Sequence, residues 1–574
     1  MPSTSDLDRV TMVVLRHMRR PVFALIVVYA VGITGMALIP GTGVDGNPEK
    51  MSLFHAFYFF TYTATTTGFG EIPNAFSDEQ RLWAIFCLYM GAIAWLYAIG
   101  SIIRLVQNPH FTTAVNEHSF ARGVRRLTDP FVIICGFGDT GSLLARGLSD
   151  HSIRATVLDR DPERIKAFAV RDYRVRMLGL CAQPDVPRHL IDAGVRQPMC
   201  KAVVALTNEE DTNRQIAIVA KLLNPAVKVI SRSTSERHCK HLSSLRDVQV
   251  VNPFAVFAEL LDMAIVTPLQ HNLNSWLVGV PGTRLGYPLT VPCGEWILCG
   301  YGRMGQELHR RLVCHGIHVV VIDPDVDECV APGRVVRGFA DHDTLREAGV
   351  EQAAGIVAGT DSDSDNLGIL VCVQHLNTDA FTVVRQNRHE NQLAFDAAKA
   401  DLILQSSLTT ARRILKTLIS PLINELIDYL HGKDQPTKEI INRLQAAVGE
   451  RTPHLFRIGI TSEEALAVME YLDTGMQLVL GDLFLDPGKL DEALPCVPLV
   501  IRRASGLVML PGDTETVNRG DGILFCGTVG SERLLRATLN NPYTLHQLTT
   551  GVEEPRGYFF QWLDRKLSSR HGLS

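Results

Sequence analysis

The chain lacks a surplus of either charge, and two long stretches of it lack charge altogether. Its 574 residues hold 56 lysines and arginines against 61 acids, a net charge of -5, which excludes the basic footprint of a nucleic-acid partner. Residues 21–39 and 82–103 contain no charged side chain. At about 1.5 Å per residue, a helix of either length covers the ~30 Å apolar core of a lipid bilayer. We therefore predict two membrane spans at about 21–39 and 82–103.

The segment between these two runs also lacks cysteine, since eleven of the twelve cysteines follow the second run. Thiols persist in a reducing cytosol, so the cysteine-containing part that follows the second run is expected to lie there. Lysine and arginine are more frequent before the first run and after the second than between them. This bias predicts a multi-pass protein of the cell's inner (plasma) membrane with both termini in the cytoplasm. A cleaved signal peptide is disfavoured because no small-x-small cleavage site follows the first run.

The stretch TTTGFG at 65–70 lacks any side chain suited to acid, base or nucleophilic catalysis. It lies between the two runs and follows an apolar segment, MSLFHAFYFFTYTAT, that can re-enter the membrane as a short helix. Irregular backbone at membrane depth is tolerated only where it is buried in protein or lines water. Carbonyl oxygens and a threonine hydroxyl of such a loop can replace the hydration shell of a cation. We interpret 52–70 as a pore helix and an ion-binding loop.

This loop resembles the potassium-channel selectivity filter Thr-Val-Gly-Tyr-Gly. The resemblance implies K⁺ as the permeant ion, a homotetramer around one axis, and a gating hinge in the second span, where Gly91 matches. Close helix packing is the other interpretation of Gly91. The departures from the family pattern, together with Glu71 in place of the usual aspartate, leave a non-selective cation channel of the same architecture as an alternative. The matching filter residues are Thr66, Thr67, Gly68, Phe69 and Gly70.

The remainder of the chain contains an internal repeat. FVIICGFGDTGSLLARGLSDHSIRATVLDRD at 131 matches EWILCGYGRMGQELHRRLVCHGIHVVVIDPD at 295. Each copy has an apolar run, a GxGxxG turn, an amphipathic helix and a second apolar run that ends in an acid, which is typical of a βαβ unit that binds a dinucleotide. The turns are Gly136, Phe137, Gly138, Asp139, Thr140, Gly141 in the first copy and Gly300, Tyr301, Gly302, Arg303, Met304, Gly305 in the second.

The two copies resemble RCK domains, which regulate potassium conductance and have a TrkA-N type nucleotide-binding fold. With the spans and filter they resemble the prokaryotic two-span potassium channels with tandem RCK domains, of the GsuK type. We expect a multi-domain fold: an α-helical two-span pore domain, two α/β Rossmann-like RCK domains and a small α+β subdomain of TrkA-C type. The expected boundaries are 1–106 for the pore domain, 107–128 for a linker, 129–292 and 293–435 for the two RCK domains with their dimerisation helices, and 436–574 for the C-terminal subdomain and tail.

The resemblance implies a ring of eight RCK domains that gates the pore when a nucleotide binds. Asp159 and Asp323 follow the middle glycines by twenty-one residues, where a carboxylate meets a ribose diol and repels a 2′-phosphate. NAD or an adenine nucleotide such as ADP is therefore favoured over NADP, although Arg160 leaves room for a phosphate in the first copy. In the second copy, Arg303 can reach a phosphate.

A calcium site is an open alternative at Asp361, Asp363 and Asp365, since some RCK domains bind Ca²⁺. An EF-hand is excluded because glycine and glutamate are missing from its sixth and twelfth positions. Acids at a helix N-terminus are the favoured interpretation.

Two other function classes are weaker. A membrane-anchored NAD-dependent oxidoreductase needs a substrate domain with a proton-transfer residue, and a Trk-type regulatory subunit has neither spans nor filter. The sequence thus predicts a channel and not an enzyme.

Overall fold

The structure is a computed structural model that describes residues 5–42, 47–72, 74–277, 284–326, 333–419 and 421–552. The chain divides into two compact units. The first holds residues 1–128 together with 178–180 and 191–197, and the second holds the other residues. Each unit is described by itself.

The first unit is built on two long apolar helices that are joined through a short helix and a loop. Val14–Leu38 and Asp78–Val106 are long and apolar enough to cross a bilayer, with mean hydropathies of 2.2 and 1.9. The predicted spans are therefore confirmed as membrane-length helices that extend beyond the predicted bounds. Its elements are α1 (Ser5–Leu38), β1 (Pro40–Thr42), β2 (Pro48–Lys50), α2 (Leu53–Ala64), α3 (Asp78–Val106) and α4 (Pro109–Arg125).

Small residues on α1 allow aromatic rings from α2 and α3 to approach its backbone. A Cβ added to Gly32 would lie 2.2 Å from the ring of Phe60, and one added to Gly35 would lie 2.2 Å from the indole of Trp83. The Trp83 indole N–H also donates to the Gly32 carbonyl at 3.2 Å. Glycine thus provides the close helix packing on which association within a bilayer depends.

The segment after the second span, which is predicted as a linker at 107–128, is largely helical. Residues Pro109–Arg125 form a helix that buries Phe120, Ala121 and Val124. The Gln197 side-chain amide donates to the Val124 carbonyl at 3.2 Å. These buried residues are spaced for one helical face, which makes the segment a packed element rather than a flexible connection.

The first repeat copy forms a parallel six-stranded sheet with the strand order β5-β4-β3-β6-β7-β8. Strands β3, β4, β6 and β7 are almost fully buried, as a sheet covered by helices on both faces requires. Its elements are β3 (Phe131–Cys135), α5 (Asp139–Asp150), β4 (Arg154–Asp159), α6 (Pro162–Val170), β5 (Leu178–Cys181), α7 (Pro187–Asp192), β6 (Cys200–Ala205), α8 (Glu210–Leu223), β7 (Lys228–Arg232), α9 (Glu236–Ser243), β8 (Val248–Val251), α10 (Pro253–Val266) and α11 (Pro268–Leu277).

The second copy repeats this topology with the order β11-β10-β9-β12-β13-β14. Both sheets place the glycine-rich turn after the central strand, at the point where the strand order reverses and α/β folds bind ligands. Its elements are β9 (Glu295–Cys299), α12 (Arg303–Cys314), β10 (His318–Ile322), β11 (Arg334–Val336), α13 (His342–Glu347), β12 (Gly355–Ala358), α14 (Asp363–Leu376), β13 (Phe381–Gln386), α15 (Gln392–Ala397), β14 (Leu402–Gln405), α16 (Ser406–Ile419) and α17 (Leu422–Leu430).

The two copies exchange helices. Ala411 and Ile414 of α16, which follows the second sheet, belong to the core of the first copy beside Leu144 and Leu148. Conversely, Phe257, Ala258 and Leu261 of α10, which follows the first sheet, belong to the core of the second copy. The apolar faces that the sequence assigns to contacts between chains are therefore covered, at these residues, within one chain.

The C-terminal part forms a four-stranded antiparallel sheet with the order β15-β20-β18-β19 and helices beside it. The predicted fold class, with two apolar helices, two Rossmann-like sheets and a small α+β domain, is confirmed. The elements are α18 (Asp434–Val448), β15 (His454–Gly459), α19 (Leu466–Asp473), α20 (Leu480–Leu483), β16 (Leu485–Asp486), β17 (Lys489–Ala493), β18 (Cys496–Arg503), β19 (Gly506–Met509), β20 (Gly522–Gly527), α21 (Val529–Leu539) and α22 (Pro542–Thr550).

Candidate functional site

The loop after α2 has an unusual backbone. Thr66, Gly68 and Gly70 have φ values of 59°, 67° and 96°, whereas Thr67 and Phe69 between them do not have positive φ. Such alternation turns successive carbonyl oxygens toward one side of the strand, which is the arrangement that a ring of carbonyl ligands needs. The positive φ of Thr66 is strained for a residue with a side chain.

Helix α2, the predicted pore helix, holds this loop by its C-terminal end. The Tyr62 carbonyl accepts from the Thr67 N–H at 2.9 Å, and the Thr63 carbonyl accepts from the Thr66 N–H at 3.1 Å. The Tyr62 hydroxyl donates to the Gly70 carbonyl. This bond ties the end of the loop to α2.

Aromatic packing and an ion pair complete the support of the loop. The Phe69 ring stacks on Tyr58 with ring centroids 6.3 Å apart and meets Tyr62 edge-on at 5.6 Å. Glu71 accepts from Arg81 through both oxygens, at 2.9 and 3.2 Å, and from the Phe76 N–H at 2.9 Å. The hydrogen bond from Arg81, followed by that from Phe76, lowers the pKa of Glu71 below its usual range.

Gly91 lies where the inner helix α3 meets the pore helix. A Cβ added there would lie 3.0 Å from the Cβ of Ala64, and α3 continues without interruption past Gly91. The contact matches the packing interpretation, while its role as a hinge stays a prediction. At Gly100, farther along the same helix, no described atom lies within 4 Å of an added Cβ.

The two glycine-rich turns have the same geometry. Gly136 and Gly300 have φ values of 102° and 94°. A Cβ added to Gly141 or Gly305 would lie 2.1 Å from the carbonyl oxygen of Gly136 or Gly300, so the third glycine permits close packing of helix on strand. The middle glycine is different, because a Cβ on Gly302 would meet no described atom within 4 Å. It therefore leaves room for a ligand to approach the backbone.

The acid after the second strand braces each turn. Asp159 accepts from the Phe137 N–H at 2.5 Å and from the Asp161 N–H at 2.8 Å. Asp323 accepts in the same way from the Tyr301 N–H at 2.7 Å and the Asp325 N–H at 2.9 Å. Each carboxylate oxygen retains a lone pair for a ribose hydroxyl. In both copies, the carboxylate thus braces the turn and still has an acceptor for a ribose hydroxyl.

The first turn opens on a cavity of about 260 Å³. Arg164, which the sequence analysis missed, places Nη1 3.5 Å from Asp159 and beside Gly138. Arg160 pairs with Glu209 at 2.6 Å across the mouth. Asp139 and Thr140 do not line this cavity, which is lined by Gly136, Asp159, Arg160, Asp161, Arg164, Gln183, Pro184, Asp185, Thr207, Asn208, Glu209 and Thr212.

The second turn opens on a larger cavity, of about 880 Å³. Gly300, Gly302, Arg303, Met304 and Asp323 all line it. Two residues that the sequence analysis missed also line this cavity. Phe254 comes from the first copy, and Arg385 comes from β13. The side chains of Tyr301 and its counterpart Phe137 are buried in the cores instead, so these two residues offer the sites only backbone.

The predicted calcium alternative does not match the contacts of its residues. Asp363 accepts from the backbone N–H groups of Asn387 and Arg388, at 2.6 and 3.0 Å, and from the Asn391 amide at 2.6 Å. Burial opposes ionisation, but these bonds together lower the pKa of Asp363. Within the described ranges, no three His, Cys, Asp or Glu side chains are grouped as metal ligands.

Asp363 has a counterpart in Glu210, at the same position of the repeat. Glu210 accepts from the Thr234 and Ser235 N–H groups at 3.0 and 3.2 Å and from His238 at 3.0 Å. Although burial opposes ionisation, these bonds lower the pKa of Glu210 to about 2. The repeat itself signals this role, because it pairs the two acids in sequence.

Comparison with known proteins assigns the parts of the chain. Residues 23–108 match the ion channel family, and residues 132–253 and 296–406 match the TrkA-N domain. Potassium channel protein 1 of Methanocaldococcus jannaschii is 22% identical over 209 residues, which are 36% of this chain and 61% of that protein. The voltage-gated potassium channel Kch of Escherichia coli K12 is 25% identical over 222 residues, 38% of this chain and 50% of that protein.

The chain thus matches less than two thirds of the length of these relatives. A solved structure of the GsuK channel bound to NAD shares 17% identity with a TM-score of 0.46, covering 92% of this chain and 99% of that one. The chain combines an ion-channel region with two TrkA-N domains, and it is homologous to prokaryotic potassium channels.

Proposed function

We propose that the chain forms a tetrameric potassium-selective channel whose gate responds to a nucleotide. The observation that carries the proposal is the alternating backbone of Thr66, Gly68 and Gly70, held at the end of a pore helix between two membrane-length helices. One such strand cannot surround an ion, so four chains around one axis are needed. The pore helices then direct the negative ends of their dipoles toward the centre of the ring.

The proposed ion site consists of the carbonyl oxygens of Thr66, Thr67, Gly68 and Phe69 with a threonine hydroxyl, and Gly91 is the proposed hinge. The protein lies in the inner membrane with both termini in the cytoplasm. The four chains together hold eight RCK domains, which form a cytosolic ring that acts on α3 through α4. The domain boundaries given above belong to this proposal, with 109–125 as a helical connection.

The ligand we propose is NAD or an adenine nucleotide of the ADP class, bound at both glycine-rich turns. The open space beside Gly302 and the carboxylates of Asp159 and Asp323 support it. Acids outnumber arginines in the linings of both cavities, which favours these ligands over a more highly charged triphosphate. Moving a gate from 1:99 to 99:1 takes ~5.5 kcal/mol, so eight equivalent sites need contribute only about 0.7 kcal/mol each.

A direct test is recording from the purified protein in planar bilayers under a potassium gradient against sodium. We expect the reversal potential to follow the potassium gradient, and NAD or ADP to change the open probability without changing conductance. Channels that open normally but ignore both nucleotides would contradict gating while leaving conduction intact.

The second candidate function is a non-selective cation channel of the same architecture. Thr67 replaces the family's valine, and its hydroxyl lies 3.1 Å from the Thr65 hydroxyl, so a polar pair stands where the family has an apolar side chain. In the same recordings, a reversal potential near zero under opposed potassium and sodium gradients would favour this candidate. An enzymatic role is not proposed, because residues 23–108 match the ion channel family and the relatives named above are potassium channels.

A further inference from the structure

The second glycine-rich site is assembled from both repeat copies. Phe254 of α10 lies beside the turn, with the guanidinium carbons of Arg303 and Arg385 5.5 and 5.8 Å from its ring centroid. All three line the same cavity. In the first cavity, every lining residue comes from the first copy. The two sites therefore differ in which domains a ligand touches.

One cation of this site keeps an unused hydrogen-bond donor. Burial, ahead of repulsion from Arg303, lowers the pKa of Arg385, and the attraction of Asp361 and Asp363 opposes that shift. The Nε of Arg385 is buried and has no hydrogen-bond partner among the described residues. A buried donor without an acceptor is costly, so an anionic group at this point would be stabilised.

Arg303 is held by the first copy. Its Nη1 donates to the Thr234 hydroxyl at 2.5 Å and lies 3.9 Å from the Glu210 carboxylate. The side chain is nevertheless 67% exposed and leaves the turn from the first position of α12. It can therefore exchange this contact for a phosphate bound at the helix N-terminus beside it.

The partners that Arg303 would leave behind organise a segment of the first copy. Glu210 holds the loop of Thr234 and Ser235 through their N–H groups, and it holds His238 in α9. Thr234 also donates its hydroxyl to Glu210. If the Arg303 guanidinium leaves this cluster, Glu210 loses a nearby cation and the Thr234 hydroxyl loses a hydrogen-bond donor.

We propose that Arg303 is a coupling residue, which reads a phosphate-bearing ligand in the second site and transmits its binding to the 233–243 segment of the first copy. This inference rests on the proposed function, because it takes a nucleotide at the second turn as the ligand. Binding transfers Arg303 from Thr234 and Glu210 to the phosphate and loosens the segment. The two copies in one chain are thereby linked without a second chain.

The test uses the full-length protein and two probes, ADP and adenosine, which differ in the phosphate. Hydrogen–deuterium exchange should show protection of 300–305 by ADP and faster exchange of 233–243. Arg303→Ala should weaken ADP binding about tenfold, as expected for the loss of a charge-assisted bond, leave adenosine binding unchanged, and abolish the effect on 233–243. Arg310→Ala, on the same helix and paired with Glu307 of that helix, should behave like the parent.

A second variant keeps the inference testable if Arg303→Ala folds poorly. Thr234→Val removes the hydroxyl that holds Arg303, so ADP should bind a few times more tightly and should no longer change exchange at 233–243. Protection of 300–305 with no change at 233–243 in the parent would overturn the coupling and leave nucleotide gating standing. Failure of ADP and NAD to protect either turn would overturn both.

Discussion

At the residue scale, Gly68 has a backbone conformation that would be strained for any residue with a side chain. Its φ is 67°, and alanine in this left-handed region costs about 1–2 kcal/mol. We expect Gly68→Ala to abolish potassium flux into liposomes while the oligomer, measured by light scattering, persists.

Gly100→Ala is the matched control for this substitution. Gly100 lacks a positive φ, and no described atom lies within 4 Å of an added Cβ. The Gly100→Ala protein should therefore conduct like the parent. Normal, selective flux through Gly68→Ala would remove the proposed ion site.

A second residue-scale prediction concerns the carboxylate behind the filter. Glu71 has a lowered pKa because Arg81 and the Phe76 N–H bind its charged form. A carboxyl whose folded pKa is depressed stabilises the fold above its ordinary pKa, and this contribution is lost as the pH falls through the lower folded value. Potassium current should therefore be steady from about pH 7 to 5 and decline at more acidic pH.

Glu71→Gln should have a less stable conducting state than the parent above this acid-sensitive step, should match the parent below it, and should not show the step itself. Asp78→Asn is the control, because Asp78 also touches Arg81, at 3.3 Å, but its side chain is 95% exposed. Single-channel recording at stepped external pH distinguishes them. If Glu71→Gln kept the acid step of the parent, another group would be responsible for it.

At the element scale, two glycines of one turn should fail in different ways. A Cβ at Gly305 would lie 2.1 Å from a backbone oxygen, so Gly305→Ala must push α12 away from β9, at a cost of about 1–3 kcal/mol. Gly302→Ala meets no such contact and should keep the parent's melting temperature while weakening NAD or ADP binding. Calorimetry and thermal unfolding of the full chain measure both effects. Equal loss of stability in the two variants would contradict this division of roles.

The exchanged helices also belong to this scale. A Cβ on Gly147 in α5 would lie 2.7 Å from Leu415 of α16, so the contact between the copies is close-packed. Their apolar faces were read from the sequence as contacts between chains. Periodicity identifies an apolar face but carries no information about which surface covers it.

At the scale of the whole molecule, the helix exchange makes each RCK copy dependent on the other. Truncation after residue 292 removes α16, and with it Ala411 and Ile414 from the core of the first copy. We expect the truncated protein to expose that core, aggregate and become sensitive to protease, rather than to survive as a channel with half a ring. Limited proteolysis of the membrane-extracted protein checks this. A compact, resistant first copy would show that α16 is dispensable.

Much of the architecture was predictable because it depends on local chemistry. Uncharged runs predict membrane helices wherever they occur, and the GxGxxG turns with their acids predict βαβ units from backbone requirements alone. The loop at 65–70 was recognisable because its order of threonine and glycine residues resembles the potassium-channel selectivity filter. Element type and order therefore followed from short segments of sequence.

Tertiary structure alone decided which side chains meet. Tyr62 reaches Gly70, Arg81 reaches Glu71, and Arg303 reaches Thr234 in the other copy, and no spacing in the sequence indicates these pairs. The helix at 109–125 lies where the sequence analysis placed a linker, and one face of it is buried. The sequence by itself determined the elements and the two glycine-rich turns, since both arise from neighbouring residues. Packing between segments more than sixty residues apart decided how the turns are linked.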